Sequence, residues 1–155
     1  MIKQLIKKYF LITAACFLLW PLVAIAESHP SDIWISEGYI RQMPPGQNIT
    51  AAFMTLKNLT PNLCRLVGAS SDIAKKTEIH NHFKNKDVMS MRPVKSINIP
   101  AGEIVSLKPG GYHLMMFGLN QELKENQYHQ ITLNFTGCSN ISFNAPVRSV
   151  RQHHH

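Results

Sequence analysis

Turn signals punctuate this chain about every 8 to 12 residues, and only short apolar or alternating runs lie between them. Met43-Pro44-Pro45-Gly46, Asn58-Leu59-Thr60-Pro61-Asn62, Pro100-Ala101-Gly102 and Lys108-Pro109-Gly110-Gly111 each hold residues that end a ladder. No convincing amphipathic helix can be drawn across such breaks. Strands are expected over Asp32 to Ile40, Ala51 to Leu56, Cys64 to Ala69, Lys76 to His82 and Val88 to Val94. Further strands follow at Ser96 to Ile99, Glu103 to Leu107, Tyr112 to Leu119, His129 to Phe135 and Ile141 to Val147. Ser70-Ser71-Asp72 and Lys84-Asn85-Lys86-Asp87 read as turns. About nine or ten short strands without a repeat describe an all-β sandwich or barrel of Greek-key type, in a single domain.

The first 26 residues have a different character. Lys3, Lys7 and Lys8 precede an apolar run, Phe10 to Val23, and Ala24-Ile25-Ala26 offers a small-x-small cleavage site before Glu27. This reads as an export signal cleaved after Ala26. An uncleaved anchor is the rival, weakened by Pro21 and by a length at the lower limit for a span. A lipoprotein reading would use Cys16, but the apolar run continues well past it. The expected organisation is a signal peptide at 1–26, a domain at 27–150 and a His-containing tail at 151–155, with the mature protein in the periplasm as a monomer.

Net charge is +7 for the whole chain, and +4 once the three signal lysines are set aside. The basic residues are scattered, whereas nucleic-acid binding needs a stripe of positive charge, so that class is excluded. Export leaves Cys64 and Cys138 in an oxidising compartment. They form a disulfide or serve as two small buried apolar side chains, and spacing alone does not decide which.

The chemistry concentrates between His80 and Met115. His80-Asn81-His82, Met89-Ser90-Met91 and His113-Leu114-Met115 each carry two donors that share one side of a strand. Imidazole and thioether without thiolate or carboxylate form a soft, uncharged set suited to Cu(I) rather than to Mg2+, Ca2+ or Zn2+. A lone Met in a strand is ordinarily core, and Leu114 and Met116 fit that role. A blue-copper site would need a Cys thiolate, and none is adjacent, so transfer suits these donors better than redox cycling. The chain has no Ser-His-Asp order, phosphate loop or HExxH, and it is not expected to be an enzyme.

The spacing of four donors carries a resemblance. Ten residues separate His80 from Met91, 21 separate Met91 from His113, and one separates His113 from Met115. This chain resembles the periplasmic copper chaperones called PCuAC, whose signature is His, ten residues, Met, twenty-one residues, His-x-Met. Val88 to Val94, Ile99 to Gly102 and Leu107 to Met115 agree in context, and the likeness runs from about Asp32 to Val147. It implies a cupredoxin-like β-barrel holding one Cu(I) through His80, Met91, His113 and Met115. It also implies delivery toward the CuA centre of cytochrome c oxidase, beside Sco-type thiol proteins. A periplasmic copper buffer without a dedicated recipient is the alternative. Members often carry a Met soon after the first His; here His82 stands near, as a fifth donor or as a solvent-exposed neighbour.

Auxiliary donors are Met89 and the terminal histidines. A mature start at Glu27-Ser28-His29 would offer an amine, two amides and an imidazole to Cu(II) in a square plane. The tail His153-His154-His155 is a second candidate for Cu(II), or a remnant of an expression tag.

Overall fold

The computed structural model describes residues 31–85 and 88–149, with side chains at all of these except 84, 85, 88 and 89. Ten strands and no helix occur among them. They are β1 (Ile33–Arg41), β2 (Ile49–Asn58), β3 (Cys64–Ser71), β4 (Ala74–Asn85) and β5 (Val88–Pro93). Then come β6 (Ile97–Ile99), β7 (Ile104–Leu107), β8 (His113–Leu119), β9 (Tyr128–Thr136) and β10 (Ile141–Arg148).

The ladder runs β5-β4-β8-β2-β1-β10-β9-β3-β6, with β7 also on β2. Its one parallel joint, β1 with β10, links two antiparallel halves. The two ends of the ladder, β5 and β6, are consecutive in the chain and separated only by Val94 to Ser96. Three residues reach roughly 10 Å when extended, so the ladder has to curl back on itself. Consecutive strands that sit apart in the ladder make the topology a Greek key, and the fold is the expected all-β, cupredoxin-like barrel.

The inner faces of both halves meet in one core, including Ile40, Leu56, Leu66, Ile99, Leu114, Met116, Ile131, Leu133 and Val147. On β2 the core takes Thr50, Ala52, Met54, Leu56 and Asn58, leaving Ala51, Phe53, Thr55 and Lys57 on the outer face. Buried Asn58 is fully used. It donates to the Asn62 and Ile99 carbonyls and accepts from the Thr60 amide and hydroxyl, which shapes the turn that ends β2.

β1 departs from simple alternation. Its register against β2 shifts between Ser36 and Tyr39, and Glu37 has a positive φ of 54°. This bulge resets the phase, so Ile33 and Ile40 both face inward although seven positions apart. The expected turn at 70–72 is shorter: β3 continues through Ser71 and β4 begins at Ala74.

Cys64 on β3 and Cys138 just past β9 are joined by a disulfide, with Cα atoms 5.4 Å apart. Next to it, Gly137 has φ +83°, and a Cβ there would lie 2.5 Å from the Leu63 carbonyl oxygen. Gly137→Ala therefore combines left-handed strain with a backbone clash, and a loss of about 2–3 kcal/mol in urea denaturation is expected. A loss under about 0.5 kcal/mol would show that this corner relaxes freely.

Candidate metal centre

Three adjacent strands, β5-β4-β8, carry the soft donors on their outer face, with β2 next to β8. Antiparallel pairing sets His80 opposite His113 and Met115 opposite both Glu78 and Ala51. Met91 on β5 stands opposite His82 on β4. Directly opposed residues share a face, so Met91, His82, His80, His113 and Met115 all project outward from the barrel. The alternate residues Ile79, Leu114 and Met116 are buried in the core behind them. Met91, which alone would read as core, is 55% exposed.

The turn between β7 and β8 completes the site. The Lys108 amide donates to the Tyr112 carbonyl at 2.8 Å and the Gly111 amide to the Lys108 carbonyl at 3.0 Å, with Gly110 at φ +81°. This turns the Gly111 carbonyl toward the imidazoles, 2.9 Å from His113 Nδ1 and 3.4 Å from His82 Nδ1. A carbonyl only accepts, so His113 carries its proton on Nδ1 and bares the lone pair of Nε2. That Nε2 is buried without a partner among the described residues. Burial pushes the His113 pKa below its ordinary value against the Gly111 hydrogen bond, with His82 and His80 adding to the lowering.

His80 is held differently. Its Nε2 lies 2.9 Å from Glu78 Oε2, and the other Glu78 oxygen pairs with the Lys76 ammonium. Hydrogen bonds from His80 and then from Lys76 hold the Glu78 carboxyl below its usual range. The His80 ring lies 6.0 Å from that of Phe117, centroid to centroid. Its centroid is 5.9 Å from that of His113, whereas His82 is 5.0 Å from His113. Sequence reading passed over Glu78, although its position two before His80 on one strand was the available signal.

A cavity of about 500 Å³ opens between these strands, walled by His82, Met91, His113 and Met115, with Phe53 and Arg41 among its other residues. This volume exceeds the need of a single ion and leaves room for a donor group arriving from outside. Among the described residues no three of His, Cys, Asp and Glu are grouped to hold a metal. An ion on this face therefore depends on thioethers, which fits a soft monovalent metal. The Met89 side chain, His29, His153, His154 and His155 lie outside what is described.

The model of the family "Putative lipoprotein LpqE-like" matches residues 33–147. The chain belongs to the LpqE-like family. It is 32% identical over 117 residues to "Putative lipoprotein Lxx21020" of Leifsonia xyli subsp. xyli, covering 75% of this chain and 69% of that one. Among solved structures, this LpqE-like domain is similar to the copper-bound PCuAC domain from PmoF2, with TM-score 0.65 and 19% identity over 79% of this chain and 97% of that one. At that identity the likeness speaks for the fold. DR1885 from Deinococcus radiodurans in its apo form gives TM-score 0.62 and 26% identity, covering 85% of this chain and 89% of that one. Its CuI form gives 0.57 and 27%, covering 84% and 85%.

Proposed function

We propose that this LpqE-like domain is a copper metallochaperone that takes up one Cu(I) on the outer face of β5-β4-β8-β2 and passes it on. The observation that carries this reading is the buried Nε2 of His113, without a partner among the described residues and set in a cavity with the thioethers of Met91 and Met115 and an imidazole of β4. A buried acceptor without a partner costs about 1–3 kcal/mol, which a bound ion would offset. The spacing marks His80, Met91, His113 and Met115 as candidate ligands, of which Met91, His113 and Met115 wall the cavity. The CuI form of a protein 27% identical to this chain supports the metal and its oxidation state.

Neutral donors on an open cavity suit ligand exchange rather than turnover, so the domain binds and releases copper without catalysis. A relative named as a lipoprotein and the basic, apolar N-terminus together favour export. The small-x-small Ala24-Ile25-Ala26 is what supports processing after Ala26 into the periplasm. In that setting the CuA centre of cytochrome c oxidase is the destination, reached beside a Sco-type thiol protein.

Titration of the purified domain with Cu(I) against a competing chelator tests the reading. One tight site per chain is expected, weakened more than about tenfold in Met91→Ala and in His113→Ala. Unchanged binding in both variants would remove the proposal. Deleting the gene separates delivery from buffering: a delivery protein limits oxidase activity when copper is scarce, a buffer matters at excess.

A further inference from the structure

The two β4 imidazoles are not equivalent. His80 occupies the signature position, yet its Nε2 is engaged by Glu78 at 2.9 Å, and Glu78 is itself anchored by Lys76. The partner of His80 across β5 is Pro93, whereas Met91 faces His82. His80 is also absent from the walls of the donor cavity. His82 is among them, directly opposite Met91 on the neighbouring strand, and its ring is the nearer of the two to His113. Its contact to Gly111 is long, 3.4 Å at Nδ1. That bond points the Nδ1 proton at the carbonyl and leaves the Nε2 lone pair free, as in His113.

We infer that His82 supplies the β4 imidazole to the ion, in a set of His82, Met91, His113 and Met115, and that Glu78 selects it by holding His80 aside. Glu78 is thus a positioning residue, acting on the metal only through His80. The spacing signature points to His80; the side-chain arrangement points two residues further on. The consequence is a reserve donor. When Glu78 lets go of His80, that imidazole can enter as His82 leaves, so the ion need not lose a nitrogen ligand at any stage of exchange. This inference rests on the copper reading above and goes further by assigning the second imidazole.

Competition titration with Cu(I), together with X-ray absorption counting nitrogen and sulfur neighbours, distinguishes the possibilities. His82→Ala and His82→Gln should each weaken binding more than about tenfold and remove one nitrogen neighbour, while His80→Ala should change affinity less than about threefold. Adding Glu78→Ala to His82→Ala should restore affinity to within about threefold, because freed His80 then takes the vacant place. A purely structural role for Glu78 predicts no such rescue. Binding lost in His80→Ala but kept in His82→Ala would overturn the assignment, as would equal effects in both or a double variant no better than His82→Ala. Thermal melts of each variant show that the domain is folded. If the unaltered domain shows no tight Cu(I) site, the copper reading itself falls and this inference with it.

Discussion

His113→Leu should make the metal-free domain more stable by about 1 kcal/mol at neutral pH while abolishing tight copper binding. The two effects have one origin. His113 is 2% exposed and packs near Phe53, with ring centroids 6.2 Å apart, so leucine enters an apolar setting. The replacement removes an unpartnered buried Nε2, worth about 1–3 kcal/mol, and forfeits one hydrogen bond to Gly111, worth about 1 kcal/mol. The Gly111 carbonyl retains His82 as a neighbour.

The same variant should also have a shallower pH dependence. The pKa of folded His113 lies below the ordinary 6.5, so the unfolded chain takes up the proton first as pH falls. The native domain keeps its full stability from this group above 6.5 and loses it progressively below, whereas the leucine variant lacks that loss. Urea denaturation of the metal-free proteins at pH 7.5 and 5.5 reads both effects. A variant less stable than the parent at both pH values would show that the imidazole is well accommodated and not held at a cost.

The strand pattern was legible because turn residues and period-two alternation are local signals, and the expected strands coincide with the observed ones to within a few residues. The bulge at Glu37 was not legible. A single residue of positive φ leaves no mark in an alternation already weakened by Gly38 and Tyr39. The gathering of the donors on one face was legible as spacing, because His-x-Met and His-x-His pairs share a face in any strand. What spacing cannot carry is the competition among side chains on that face. Glu78 occupies the same row of β4 as the two histidines, and its carboxylate engages His80 in the folded strand. The exposure of Met91 likewise follows from its place on an outer strand at the end of the ladder, which depends on the whole topology.

Replacing both Cys64 and Cys138 by alanine should cost about 4 kcal/mol of stability and leave Cu(I) affinity unchanged. The bond closes a loop with a sequence separation of 74, and the chain-entropy cost of such a loop is about 4 kcal/mol. That is a large fraction of the roughly 5–15 kcal/mol that holds a domain of this kind together. A fall in melting temperature of about 10 °C or more is expected. The bond ties β3 to the end of β9, where Arg65 pairs with Thr136, whereas the donors stand on β5, β4 and β8 in the other half of the ladder. Stability and binding are therefore separable, and a coincident loss of copper affinity in the still-folded variant would contradict that separation. The bond also bears on metal selectivity. Two free thiols would be a softer Cu(I) site than imidazole and thioether, so oxidation to the disulfide removes a competitor from the same chain. Reduced protein should accordingly bind additional Cu(I) that the alanine variant does not, and a reduced domain limited to one equivalent would show that these sulfurs are out of reach.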